Sequence, residues 1–240
     1  MNFTTETKVR EIAAANSGAR KVLEEARIDY CCGGERRLGD ACVNADVSAE
    51  QILKRLAESG KQARPEELNW SSAELCQLTH HIRTKHHKFV RDAIPRLRAL
   101  LSKVKSKHAQ NHPELGEIEE RFLELAQEMY SHMQKEEQIL FPYIEALERA
   151  ARKEGALEPP FFQTVRNPVH MMMKEHDSAG EALRAMRSLS GGYQAPAEAC
   201  ESYRELYRSL EEFELDMHTH VHLENNILFP RAVALEDAVI

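Results

Sequence analysis

The chain has 240 residues, 42% of them apolar and 30% charged, which is typical of a globular protein. Its net charge of −7 argues against broad binding of nucleic acid. No run of residues approaches the roughly 20 apolar positions that cross a bilayer, and the N-terminus lacks the apolar core of a signal peptide. We therefore expect a cytoplasmic protein with neither a nucleic acid nor a membrane as partner.

Residues 1–65 are predicted to form a small helical domain of three short helices. Residues 16–18 (NSG) and 31–34 (CCGG) interrupt its apolar patches and indicate turns. Residues 60–65 (GKQARP) are typical of a linker, and a second domain is predicted over residues 70–238. The five cysteines are odd in number, so they do not indicate a framework of disulfides.

The second domain is predicted to contain four long helices. Leu, Glu, Ala and Arg dominate the whole chain, which favours helix, and short links with Gly or Pro separate the helical segments of this domain. The helices are expected at about residues 73 to beyond 100, 113–151, 168–189 and 197–235, with a kink or break at Pro95. The predicted fold is all-α, an up-down-up-down four-helix bundle preceded by the small helical domain.

A duplicated motif is the strongest signal in the sequence. Residues 132–142 read HMQKEEQILFP and residues 220–230 read HVHLENNILFP, with His, Glu and ILFP in the same register. His87 and His176 precede the two copies by nearly equal distances. Each half of the bundle is therefore predicted to be a helical hairpin, with one His on its first helix and His-x-x-x-Glu on its second.

The His-x-x-x-Glu spacing points both side chains of each copy in the same direction. Residues four apart on a helix lie one turn apart on the same face. Leu140 and Leu228 follow on that stripe, so the polar groups should face the core, where they are costly unless a metal pairs them. The six predicted metal ligands are His87, His132, Glu136, His176, His220 and Glu224.

Other histidines near His87 in the sequence could replace it as the first of the six ligands. His86 adjoins His87 and points about 100° away from it, so both cannot face one site. His80 lies roughly on the same face as His87 and is the main alternative.

The ligand types restrict the metal. Imidazole with carboxylate suits iron, and also zinc or manganese. Six protein ligands are too many for one catalytic zinc, which takes about three. Two carboxylates can instead bridge two ions, so we predict two non-haem Fe ions with a further oxo or hydroxo bridge.

The chain resembles the ScdA/YtfE/DnrN/NorA family, the repair of iron centres (RIC) proteins, and residues 72–235 resemble a hemerythrin-like domain. The motifs that carry the resemblance are DYCCGG at 29–34, HMQKEE at 132–137, EHD at 175–177 and the second repeat at 220–230. The family's di-iron ligands fall on the six residues that the repeat selects, and its paired cysteines fall on Cys31 and Cys32.

The resemblance implies a role in nitrosative and oxidative stress, through repair of iron–sulfur clusters or donation of iron to client proteins. Cys31 and Cys32 are then expected to act in redox chemistry or iron transfer, with a structural turn as the alternative. Glu175 is predicted to support a ligand from outside the first coordination shell, whereas Glu137 is expected on a solvated helix face.

Two other functions remain open from the sequence. One is binding of nitric oxide or another small diatomic ligand, either as a scavenger or as an enzyme that reduces it. The other is reversible oxygen carriage or sensing, which ranks last because the oxygen-carrying hemerythrins use five His and this repeat supplies four. Whether the chain is enzymatic, and whether it forms a homodimer, is left open.

Overall fold

The computed structural model describes residues 3–59 and 69–240. Regular structure in these residues is helical, apart from one isolated antiparallel bridge between Lys8 and Arg37. The predicted all-α class is therefore confirmed. None of the described helices combines the length and hydropathy that crossing a bilayer requires. The predicted linker at residues 60–65 lies outside the described residues.

Two compact units can be distinguished among the described residues. One comprises the described part of Met1–Leu78 together with His218–Ile240, and the other comprises Thr79–Met217. The domain boundary predicted between residues 65 and 70 stays a prediction.

The first unit contains four short N-terminal helices, α1 (Val9–Ala15), α2 (Ser17–Glu25), α3 (Leu38–Asn44) and α4 (Ala49–Ser59). The expectation of three was wrong because α3, with the sequence LGDACVN, is too short and too rich in helix-breaking residues to show a helical period. Asn16 separates α1 from α2, and its side chain accepts a hydrogen bond from the amide of Ala19 at 2.8 Å. Their buried core includes Val9, Ile12, Leu23, Leu38, Ile52 and Leu56.

The longer helices follow in four stretches. The first is α5 (Leu75–His81), π1 (Ile82–His87) and α6 (Lys88–His108), which continues through Pro95 without a break. The second is α7 (Glu114–Lys135), π2 (Glu136–Leu140) and α8 (Phe141–Ala151). The third is α9 (Arg166–Leu189), and the fourth is α10 (Glu201–Leu223), π3 (Glu224–Leu228) and α11 (Phe229–Val239).

Within Thr79–Met217, the long helices bury apolar side chains such as Leu97, Phe122 and Leu183. Ion pairs show that α6 runs antiparallel to the continuous stretch of α7 and π2, since Lys105 contacts Glu119 of α7 and Arg91 contacts Glu137 of π2. The ring of Phe213 in α10 lies 5.7 Å from that of Phe122 in α7. The four-helix, up-down-up-down arrangement predicted from the sequence is confirmed.

Proline explains two of the π-helical segments. Pro142 and Pro230 are each the second residue of the α-helix that follows a π segment. A proline inside a helix lacks the amide donor, and its ring collides with the carbonyl four residues earlier. A wider turn just before the proline relieves that collision, so the repeated ILFP sequence accounts for π2 and π3.

Candidate metal centre

Each predicted glutamate ligand begins a π-helical segment. Glu136 is the first residue of π2, and its carbonyl accepts a hydrogen bond from the amide of Phe141. Glu224 is the first residue of π3 and accepts in the same way from Phe229. His87 is the last residue of π1. Single π-helical turns inside α-helices are frequent at functional sites, so the backbone departs from the regular helix at three of the six predicted ligands.

Four predicted ligands converge inside the unit Thr79–Met217. His87, His132, Glu136 and His176 are each no more than 1% exposed. Oε2 of Glu136 lies 3.3 Å from Nε2 of His87 and 3.3 Å from Nε2 of His132. Nε2 of His132 lies 3.1 Å from Nε2 of His176. A carboxylate oxygen equidistant from two imidazoles could bridge two ions that they hold.

The other two predicted ligands lie together in the first unit. His220 and Glu224 are both fully buried, and Nε2 of His220 lies 3.0 Å from Oε1 of Glu224. They are one helical turn apart, as the spacing predicted. The structure thus groups four of the six residues in one unit and the other two in the other unit.

Two carboxylates support histidines of the group of four. Glu137 Oε1 lies 2.6 Å from Nδ1 of His87 and accepts a hydrogen bond from Arg91 at 2.8 Å. Glu175 Oε2 lies 2.9 Å from Nδ1 of His132, and Lys135 donates to the other oxygen of Glu175. The prediction of a solvated face for Glu137 was therefore wrong. Each contact leaves Nε2 of the histidine directed away from the carboxylate.

The electrostatics of both carboxylates favour the ionised form. The hydrogen bond from His132, against the opposing effect of burial and with help from Lys135, lowers the pKa of Glu175 to about 2. Burial acts to raise the pKa of Glu137, but hydrogen bonds from His87 and Arg91 bring it below its ordinary value. Both carboxylates can therefore accept a hydrogen bond from the Nδ1–H of their histidine across the neutral pH range.

The rival histidines lie elsewhere. His80 is exposed to solvent. His86 is buried, but its Nδ1 lies 2.9 Å from Oδ1 of Asp216. His87 is the member of this stretch whose imidazole contacts Glu136.

The loop at residues 29–34, which carries Cys31 and Cys32 and is called the cysteine loop below, forms a second group of potential metal ligands. Donor atoms of Asp29, Cys31 and Cys32 lie within 4.8 Å of one another. Oδ1 of Asp29 accepts hydrogen bonds from the amides of Cys31, Cys32 and Gly33 at 3.0–3.1 Å and lies 3.3 Å from Sγ of Cys31. Asp29 was not singled out from the sequence, although an Asp just before a Gly-containing turn commonly binds backbone amides in this way.

The two cysteines of this loop form no disulfide, and one of them is buried. Cys31 is buried, Cys32 is half-buried, and their sulfur atoms lie 3.9 Å apart without a disulfide. The contact with Cys32, burial and the nearby Asp29 carboxylate together raise the pKa of Cys31 well above its usual value. The Cys31 thiol therefore keeps its proton at neutral pH until a metal or another cation displaces it.

Two family models match the chain. The hemerythrin HHE cation-binding domain matches residues 78–232, and ScdA_N, described as a domain of unknown function, matches residues 5–59. The first match includes all six predicted ligands, and the second includes Cys31 and Cys32.

Relatives match over nearly the whole chain. A "probable iron-sulfur cluster repair protein" of Haemophilus influenzae is 34% identical over 238 residues, covering 97% of this chain and 99% of the relative. The "iron-sulfur cluster repair protein YtfE" of Citrobacter koseri is 34% identical over 226 residues, covering 94% and 96% of the two chains. A YtfE protein of Escherichia coli matches to the same extent. The chain therefore belongs to the ScdA/YtfE/DnrN/NorA family of iron–sulfur cluster repair proteins, with a hemerythrin-like domain after its ScdA-type N-terminal domain.

Proposed function

We propose that His87, His132, Glu136, His176, His220 and Glu224 together hold two non-haem irons. The duplicated motif supports this assignment, since each copy supplies an equivalent His and Glu. Burial supports it too, because uncompensated carboxylates and imidazoles at these depths would destabilise the fold. The donor set of imidazoles and carboxylates without thiolates fits a carboxylate-bridged iron pair.

The proposed ligands have different roles in holding the metals. The position of Glu136 between His87 and His132 suits a bridge between two ions, and the repeat assigns the same role to Glu224. When bound, such an iron pair supplies redox chemistry, a position for a small diatomic ligand and a store of labile iron. An oxo or hydroxo bridge would complete the coordination.

The function we infer is repair of iron–sulfur clusters under nitrosative and oxidative stress, by delivery of iron to client proteins. The observation that carries it is the match over nearly the full length to proteins named for cluster repair, combined with the buried His and Glu groups. We assign the activity to the cytoplasm, since the proposed role of Cys31 and Cys32 requires reduced thiols.

We further propose that Cys31, Cys32 and Asp29 handle iron during delivery. Their donor atoms lie within 4.8 Å of one another, close enough for one ion to contact all three residues. Two thiolates and a carboxylate would hold a ferrous ion more loosely than a buried site with six ligands, which suits transfer. Iron bound there would displace the proton of the Cys31 thiol.

Glu137 and Glu175 are proposed to position ligands. Each fixes the tautomer of one histidine by accepting from Nδ1, so that Nε2 faces the metals. Glu175→Leu is expected to lower the affinity for ferrous iron by about 10- to 100-fold. Chelator competition measures that affinity, and Glu175→Gln should recover part of the loss because its amide oxygen can still accept. Equal affinities in all three proteins would exclude the positioning role.

Transfer of iron tests the proposed function. Protein loaded anaerobically with ⁵⁷Fe is mixed with an apo iron–sulfur protein, sulfide and a reductant, and ⁵⁷Fe in the reconstituted cluster is counted after separation. We expect transfer faster than from the same amount of iron buffered by a weak chelator. Retention of the iron, with tight binding of nitric oxide by the reduced protein, would identify a nitric-oxide-binding protein instead.

A further inference from the structure

The two copies of the repeat differ directly after their glutamate ligands. Glu136 is followed by Glu137, which contacts His87, and by the exposed Gln138. Glu224 is instead followed by Asn225 and Asn226, both at least half-buried. Two short amides therefore replace an acid and a longer amide at equivalent positions. The symmetry of the repeat does not require this change, so the asparagines need another explanation.

Both asparagines bind the cysteine loop, and these contacts lie within the first unit. Nδ2 of Asn226 donates to the carbonyl of Tyr30 at 2.9 Å and approaches the carbonyl of Cys31 at 3.5 Å. Nδ2 of Asn225 donates to the same Cys31 carbonyl at 3.4 Å. The backbone at Cys31 is thus held by the two residues that follow Glu224.

The backbone at Gly34 lies very close to the side chain of Asn226. A Cβ atom added to Gly34 would lie 2.7 Å from Oδ1 of Asn226 and 2.9 Å from Cβ of Arg10. Only glycine leaves room there. Nδ2 of Asn226 also lies 3.0 Å from Nδ1 of the buried His222, one turn earlier on the same helix. Asn226 therefore contacts both the cysteine loop and a histidine of its own helix.

The same asparagines are part of the turn that Glu224 begins. Asn225 and Asn226 are the second and third residues of π3. A π-helical turn inside an α-helix is a local departure from the regular helix, and such turns are frequent at functional sites. The side chains of Asn225 and Asn226, two residues of this turn, contact the backbone of the cysteine loop.

We propose that Asn225 and Asn226 form a latch that couples the cysteine loop to Glu224. The ordered cysteine loop then holds Glu224 in its ligand position. When a client protein or a metal bound at the thiols displaces the loop, Glu224 binds its iron less tightly. Coupling between two sites is reciprocal, so metal binding must order the loop in return. The inference rests on the proposed function of Glu224 as a ligand and adds control of iron release to it.

The test compares Asn226→Ala with Gln138→Ala, the equivalent position in the other copy. The chain is loaded with ferrous iron, and the rate of release to a coloured ferrous chelator is followed anaerobically. Asn226→Ala is expected to release iron about 5- to 10-fold faster, equivalent to about 1 to 1.4 kcal/mol. Gln138→Ala should match the wild type. In Gly34→Ala the added Cβ should push the Asn226 side chain away from the cysteine loop, so this variant should also release iron faster than the wild type.

Hydrogen exchange gives a second readout. Iron loading should slow amide exchange at residues 29–34 in the wild type, and the slowing should disappear in Asn226→Ala. If the iron-loaded wild type and Asn226→Ala release iron equally fast, or if the loop stays protected in the variant, the latch is wrong and the metal site stands. A wild-type chain that takes up no iron would overturn both proposals.

Discussion

Replacing Glu136 by alanine is expected to reduce bound iron from two ions per chain to at most one. The remaining ion should bind at least about 100-fold more weakly, since even partners outside the first shell are worth 10- to 100-fold. Glu136 is the residue whose oxygen lies 3.3 Å from both His87 and His132. Its removal therefore takes away the proposed bridge and leaves those imidazoles without a shared carboxylate.

Metal analysis and thermal unfolding measure this effect together. Ferrous iron should raise the Tm of the wild type and raise that of Glu136→Ala far less, because stabilisation by a ligand grows with the logarithm of its concentration relative to its Kd for the folded state. Glu120→Ala, at an exposed position of α7, the helix that directly precedes π2, is the matched control. Two irons bound to Glu136→Ala with wild-type affinity would contradict the bridging role.

Replacing both Cys31 and Cys32 by serine is expected to leave two irons bound and to slow their transfer by at least about tenfold. The thiols are not among the six proposed ligands, so occupancy should persist. Serine hydroxyls are poor ligands for iron at neutral pH, and softer thiolates are lost. Iron content and the rate of ⁵⁷Fe transfer to the apo protein are measured on the same preparation.

The control for the thiol variant is Cys200→Ser, because Cys200 is an exposed free cysteine in the other unit. It should transfer iron at the wild-type rate. Transfer that survives loss of Cys31 and Cys32 would remove the loop from the delivery route. Loss of iron from the double variant would instead make these cysteines part of the metal site itself.

The sequence predicted the helical fold and the burial of all six candidate ligands because both depend on local spacing. His and Glu four apart, repeated in register, determine which side chains share a face whatever the details of packing. The prediction failed where the helix is not regular. Reading the chain with a period of 3.6 residues missed the π turns at Glu136 and Glu224, although Pro142 and Pro230 indicated a disturbed helix.

Contacts between residues far apart in sequence could not be predicted from spacing. Glu137 is a charged residue of the kind usually found on a solvated surface, and only the packing of π1 and α6 against α7 and π2 brings it to His87. Asn225 and Asn226 carry no motif of their own, and their role depends on where the cysteine loop folds. Such pairings arise from tertiary structure, which a single sequence does not reveal.

Mössbauer spectroscopy of the intact chain reconstituted with ⁵⁷Fe, with iron counted per chain, tests the paired-iron centre most directly. We predict two irons per chain in histidine and carboxylate coordination, magnetically coupled through shared ligands. A single uncoupled iron per chain, or a site that accepts one ion only, would contradict the paired centre.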